Sequence, residues 1–350
     1  MVFLSHSGTE IPPINSNICI LTRQLFSVMV PHDPYRTDLL QDTRPHLTST
    51  VRDPLRKPNI KPKGIINIPH MLDKYLKRIK KKIPTLTRPV RGYFKNRQVL
   101  AEIRKCTGQP IKKVDGKLYV IGDSHSNFFS GEEEIVSVRF RKGIYTGNHL
   151  ISFFRIFHIG PALAFNLSRM NTTSQAREKI LYLVEHAIPP GAAILLCFGE
   201  IDCRVHILRQ AEKKELTTEE VIDNILDNYI TLINDLQLKG FHPICWGPIA
   251  SQKECWNQNP EFPRYGTEAE RNKITEIYNN KLEERCRNIH VTFCSIFRRL
   301  VSPDYLTDEY YISDQCHLSQ RAMVMGIREL VDKGVILIDR TRKIAIIAER

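Results

Sequence analysis

The sequence has no apolar run approaching the ~20 residues that cross a bilayer. Ala192–Phe198 and Ile344–Ala348 are among its longest, so no membrane span is expected. No secretory signal is expected either. The apolar stretch Ile18–Val30 is broken by Arg23 and Gln24, and no basic segment follows Met1. The triplets at Asn166 and Asn171 therefore carry no expectation of glycosylation. The nine cysteines include no Cys-x-x-Cys pair and no Cys/His cluster with zinc-finger spacing. Several fall in apolar strands, among them Cys197, Cys245 and Cys294, where buried reduced thiols are expected. A cytoplasmic location follows as an expectation. Acidic residues are scarce in one place only. Residues 1–117 hold 23 Lys and Arg against 8 Asp and Glu, while residues 118–350 hold 28 against 30. The formal charge of +13 thus belongs to the first third of the chain.

What is present divides the same way. Nine prolines from Pro12 to Pro69 punctuate the first seventy residues, with little apolar periodicity between them. Each removes a backbone donor and restricts its predecessor, so irregular chain is expected there. A dense basic run follows: Lys74, Lys77, Arg78, Lys80, Lys81 and Lys82. Arg88, Arg91, Lys95, Arg97, Arg104, Lys105, Lys112 and Lys113 continue it. It reads as a footprint for an anionic partner, or as a solvated tail or a helix packed by its apolar face. Residues 1–116 are taken as a basic N-terminal extension.

From residue 117 the pattern is regular. Apolar runs at Leu118–Ile121, Phe153–His158, Ala193–Phe198, His242–Trp246 and His290–Cys294 alternate with helical patterns at 161–169, 174–187, 218–238 and 267–288. Thr217 or Thr218 is placed to cap the third helix. This alternation predicts βαβ units and a parallel sheet covered on both faces. Ligands of such sheets bind beyond the carboxyl ends of the strands. Two short strands are expected in the tail, at Val335–Ile338 and Ile344–Ala348.

The first strand runs into Gly122-Asp123-Ser124-His125-Ser126, which sets a hydroxyl at that edge. Near the other end stands Asp314-Gln315-Cys316-His317. Three residues of separation let Asp314 bond His317 Nδ1 and leave Nε2 free to take a proton from a serine. Together these blocks resemble the SGNH (GDSL-like) hydrolase family over about residues 117–333. The resemblance implies a flavodoxin-like three-layer α/β/α sandwich with a five-stranded parallel sheet. It also implies a catalytic triad of Ser124, His317 and Asp314, with the N–H groups of Ser124 and Gly160 holding the oxyanion. Gly147 and Asn148 are a second choice for the glycine block. No metal and no cofactor is expected.

The third family block is Gly-x-Asn-Asp, and here Gly199-Glu200-Ile201-Asp202 stands in its place. Ile201 has no donor to give. Losing one oxyanion donor typically costs ~2.7–4 kcal/mol in the transition state. Arg204 can substitute, backbone N–H groups can suffice, or the chain has exchanged hydrolysis for another task. Glu200, Asp202 and Arg204 form either a loop clamp or a substrate contact, and His206 stands close by. Read as a substitute donor, Arg204 is expected to affect turnover more than stability. His125 is either a substrate contact or a partner of the site. A Cys316–His317 nucleophilic pair is disfavoured, because adjacent side chains diverge. Trp246, Gly247 and Pro248 are expected to line the pocket, and residues 247–268 to form a lid.

The expected function is a serine esterase acting on O-acetyl or another small acyl group of a sugar, glycan or lipid. An O-acyltransferase and a weakly catalytic carbohydrate- or polyanion-binding protein are the alternatives. The expected partners are a small-molecule or glycan ester and an anionic partner for the basic segment. No oligomeric state is indicated.

Overall fold

The computed structural model describes residues 90–109, 113–114, 116–133, 137–147, 149–253, 262–314, 316–338 and 343–346. The proline-rich stretch, the 74–82 basic run, Asn148 and Trp256 lie outside the described residues.

Five strands form the parallel centre of the main sheet: β2 (Leu118–Gly122), β5 (Phe154–His158), β6 (Ala193–Cys197), β7 (His242–Trp246) and β8 (Thr292–Cys294). Their spatial order is β5-β2-β6-β7-β8, every pairing parallel. The nearly unbroken apolar strands suit this burial, because both faces are covered. Alternate side chains feed two cores. Ile121, Phe157, Ile194, Leu196, Cys245 and Phe293 face one; Val120, Ile156, Leu195, Ile244, Trp246 and Cys294 face the other.

The first core is roofed by α2 (Ala176–His186), α3 (Ile207–Lys214), α4 (Thr218–Leu238) and α5 (Glu268–Asn288), through Ile180, Ile207, Ile225, Tyr229, Tyr278 and Leu282. The second is roofed by α1 (residues 90–107) and α6 (Met323–Asp332), through Val99, Ile103, Ile327 and Leu330. Among the described residues no helix is long and apolar enough to cross a membrane. Thr217, not Thr218, caps α4. Its hydroxyl accepts from Glu220 N–H, and the Glu220 carboxylate accepts in return from Thr217 N–H at 2.8 Å.

The sheet has seven strands rather than the expected five, and it is mixed. The hairpin β3 (Ser137–Arg141) and β4 (Ile144–Gly147) adds antiparallel to β5. Its turn, Lys142-Gly143, has positive φ at both positions (49° and 72°), the backbone twist favoured in two-residue hairpins. Arg139 and Arg141 are exposed on this edge, so the segment lacks the apolar signature of its neighbours.

The expected helix over 161–169 is only a short 3₁₀ turn, Ala164–Asn166. The Asp202 carboxylate accepts from the N–H groups of Ala164 and Phe165, which an α-helix continuing through them would use internally. The tail strands do form. β9 (Ile336–Ile338) and β10 (Lys343–Ile346) join β1 (Lys113–Val114) in a separate three-stranded sheet.

Residues 90–107 sit in the stretch that charge alone assigns to the N-terminal extension. Val99 and Ile103, four apart on one helix face, are buried against the sheet. Glu102 accepts from Arg328 Nε at 2.6 Å, and Asn96 Oδ1 accepts from Ser152 N–H at 2.9 Å. This part of the basic segment is built into the packed body.

Candidate active site

The site forms where β2, β5 and β6 end. Gly122 closes β2 because no side chain fits. A Cβ there would stand 2.4 Å from the Cys197 carbonyl oxygen on the neighbouring strand. Asp123 then caps a 3₁₀ helix, Ser124–Ser130, its Oδ1 accepting from His125 N–H at 2.9 Å. This sharp exit leaves Ser124 half-buried at the strand's tip.

His317 reaches it from the loop before α6. Nε2 of His317 is 2.7 Å from Ser124 Oγ, and Nδ1 is 2.7 Å from Asp314 Oδ2. The loop is tightly held. Asp314 Oδ1 accepts from the N–H groups of Cys316 (2.8 Å) and His317 (2.7 Å), and an antiparallel bridge joins Ile312 to Leu318. Burial opposes ionisation of Asp314, but the His317 side chain and the two N–H bonds outweigh it. They hold the carboxyl well below the usual carboxylate range.

Glu133 fastens the two halves together. Its carboxylate accepts from Ser319 Oγ (2.6 Å) and Gln320 N–H (2.7 Å), while Gln320 Nε2 donates to the Phe128 carbonyl (2.7 Å). The serine's 3₁₀ helix and the histidine's loop are therefore joined beyond the reacting atoms.

Gly160 follows β5 with φ +86°, a conformation that excludes most side chains. Lys179 of α2 donates to the Ile159 carbonyl at 2.7 Å. In a trans peptide the C=O and the next N–H point opposite ways. Lys179 therefore fixes where the Gly160 N–H is aimed. Within the described residues neither Gly160 N–H nor Ser124 N–H donates to a protein acceptor. Burial lowers the Lys179 pKa from its ordinary value.

The charged residues after β6 are bonded to one another, to His125 and to a neighbouring loop. A single π-helical turn, Asp202–His206, follows Gly199-Glu200-Ile201. Arg204 is buried, with Nε donating to Glu200 Oε1 at 2.7 Å and Nη1 to the Pro263 carbonyl at 2.5 Å. Its side chain clamps the loop to Pro263, and its backbone carbonyl accepts from Tyr265 N–H at 3.1 Å. Glu200 Oε2 lies 2.9 Å from His125 Nε2. Burial would raise the Glu200 pKa, but His125 and Arg204 hold it at about 2. Burial likewise disfavours protonated His125, yet the carboxylates of Glu200 and Asp123 raise its pKa.

Asp202 is fully buried and accepts from Ala164 N–H at 2.7 Å and Phe165 N–H at 3.4 Å. It pins the chain just beyond Gly160. Burial pushes its carboxyl up to about 7 despite those bonds. His206 lines a separate cleft with Leu163, Phe165 and Asn224. Trp246 packs into the core against Phe128 and Phe129. Phe262 stands edge-on to His317, centroids 5.5 Å apart.

Ser124, His317 and Asp314 thus lie together with Gly160 close at hand, and Glu200 and Arg204 stand behind His125. Lys179 and Glu133 are the contributors that motif reading missed. An isolated lysine on an amphipathic helix and a glutamate in a loop carry no local signal of such contacts.

The strand order and the two sequence blocks point one way. The chain resembles the SGNH hydrolases. No family model matches it, and no curated protein does. Solved structures with similar folds include a catalytic mutant of Axe2, an acetylxylan esterase from Geobacillus stearothermophilus. That pair is 14% identical over 64% of this chain and 96% of the other, with a TM-score of 0.37. A GDSL-like lipase from Bacteroides thetaiotaomicron is 13% identical over 69% and 98%, with a TM-score of 0.39. The OSK domain of Drosophila Oskar is 12% identical over 63% and 88%, with a TM-score of 0.36.

Proposed function

We propose that this SGNH-like chain is a serine esterase that removes a small acyl group, acetyl being the simplest, from an alcohol of a sugar, glycan or lipid. The observation that carries the reading is the hydrogen-bonded series Ser124 Oγ, His317 Nε2, His317 Nδ1 and Asp314 Oδ2, with 2.7 Å at each link.

In this reaction Ser124 Oγ attacks the ester carbonyl and His317 Nε2 takes its proton. Asp314 holds the imidazole in the tautomer that leaves Nε2 basic and stabilises the imidazolium. His317 then protonates the leaving alcohol. Water, activated by the same imidazole, releases the acid from Ser124. General acid–base action of this kind contributes typically ~10²–10⁴-fold.

The oxyanion is held by the N–H groups of Ser124 and Gly160. Two observations support a hole built from backbone alone: neither N–H has another acceptor within the described residues, and Lys179 fixes the 159–160 peptide. The Ile201 substitution then removes a third donor without emptying the hole.

A fluorophosphonate probe tests the reading. Labelling at Ser124, abolished in Ser124→Ala and weakened in His317→Ala, is the expected outcome. Failure of the folded protein to label refutes acyl chemistry. Turnover of acetyl esters with and without an added alcohol then separates hydrolysis from acyl transfer.

A further inference from the structure

Two imidazoles and a thiol meet beside Ser124. One ligand atom from each of His125, Cys316 and His317 lies within 4.8 Å of the others. Cys316 Sγ is 3.5 Å from His317 Nδ1 and 3.8 Å from Nε2, so these neighbouring side chains converge rather than diverge as expected from their adjacency. The rings of His125 and His317 have centroids 4.9 Å apart. Cys316 and His317 are buried, and His125 is nearly so.

The far nitrogens of both rings are already held by carboxylates. Asp314 Oδ2 takes His317 Nδ1 at 2.7 Å, and Glu200 Oε2 takes His125 Nε2 at 2.9 Å. That leaves His317 Nε2, whose partner is Ser124 Oγ, and His125 Nδ1, which has no partner among the described residues. A carboxylate behind each imidazole is the arrangement that orients histidines as metal ligands and raises their basicity.

The geometry points to a zinc-binding site of His125 Nδ1, Cys316 Sγ and His317 Nε2, in which the metal displaces Ser124 from its base and silences the enzyme. Two nitrogens and a sulfur suit Zn²⁺. In a tetrahedral site with Zn–N and Zn–S bonds of ~2.0–2.3 Å, ligand atoms stand about 3.3–3.6 Å apart. The Cys316 Sγ to His317 Nε2 separation already approaches that. Small side-chain shifts bring in His125. On binding, the Cys316 thiol passes its proton to solvent and the thiolate takes the metal. The fourth position opens beside Ser124 Oγ, for water or for the serine itself.

The surrounding charge favours a cation. Among the described residues, Asp123, Glu200 and Asp314 carry carboxyls around the site, and Arg204 a guanidinium. Asp123 Oδ2 is buried with no hydrogen-bond partner among the described residues. The inhibitory consequence rests on the serine-esterase reading; the coordination does not.

The test uses the full-length protein and Zn²⁺ in competition with a chromophoric chelator, then Co²⁺ as a spectroscopic substitute. One Zn²⁺ per chain is expected, with affinity reduced at least tenfold in Cys316→Ala and in His125→Ala. Cys106→Ser, which alters an exposed thiol elsewhere, is expected to bind as the unaltered protein does. Co²⁺ is expected to give a thiolate-to-metal charge-transfer band that Cys316→Ala abolishes. Unaltered protein that binds neither ion below millimolar concentration, or binds Co²⁺ without that band, overturns the site, even if a variant fails to fold. Because binding is read without turnover, a protein that binds zinc but hydrolyses no ester refutes the esterase and leaves the site standing. Zinc that binds at these residues but leaves ester turnover unchanged refutes the inhibition alone.

Discussion

Replacing Lys179 by Met keeps most of the stem and deletes the ammonium that grips the Ile159 carbonyl. The effect on rate can be bracketed. A hydrogen bond from a charged donor is worth ~1.5–3 kcal/mol net, which is about 10- to 100-fold. Complete loss of an oxyanion donor costs ~2.7–4 kcal/mol, about 100- to 1,000-fold. Gly160 is not removed in this variant; its peptide is only released to rotate. The expected loss in kcat/KM is therefore about 10- to 100-fold, carried by kcat with KM little changed. Lys179→Arg keeps a charged donor and is expected to recover part of the rate. Steady-state kinetics on a small acetyl ester measure this, with urea unfolding as the control for stability. An unchanged kcat in Lys179→Met would refute the aiming of the Gly160 N–H. So would a rate loss that merely follows the unfolded fraction.

Asp202 ties stability to pH. Its carboxyl is pushed up to about 7 in the fold, against 3.8 ordinarily. The folded protein therefore keeps a proton that the unfolded chain releases, and this contribution is full below pH ~4 and lost as pH rises to about 7. It is worth about 4 kcal/mol, so urea unfolding of Asp202→Asn is expected to show a much flatter stability profile over that window. Arg204→Ala leaves Glu200 buried with only His125 beside it. A cost of about 3 kcal/mol in urea unfolding is expected, rather than the small loss expected of a substitute oxyanion donor. Asp314→Asn is expected to lower kcat by about 100- to 10,000-fold with the fold intact by circular dichroism. Gly122→Ala forces a Cβ against the Cys197 carbonyl, and a lowered thermal midpoint is expected, by about 1–3 kcal/mol or more of stability.

Much of this was legible in the sequence, for reasons that differ from residue to residue. The five parallel strands stand out because burial on both faces makes them continuous apolar runs. Asp314 and His317 are legible because three residues of spacing place carboxylate and imidazole in one tight loop. The β3–β4 hairpin was hidden by Arg139 and Arg141, which suit an exposed edge. The 161–169 stretch has the apolar spacing of a helix, but its N–H groups are claimed by a carboxylate nearly forty residues away. Arg204 shows both sides of this. Its pairing with Glu200, four residues earlier, was open to the sequence as a loop clamp, but its bond to the Pro263 carbonyl depends on tertiary placement. Lys179 and Glu133 act wholly through such contacts, which spacing along the chain does not encode.

The serine and its histidine are 193 residues apart in the chain. Between them the chain must lay down most of the sheet and both long helices before the two can meet. Contacts of such separation are costly in chain entropy and tend to form late. A nascent chain or a partly folded intermediate would thus carry the nucleophile without its base, and be inert toward esters. Recovery of probe labelling during refolding would then lag behind recovery of helical signal, making the reactive serine an internal clock for the last step of folding.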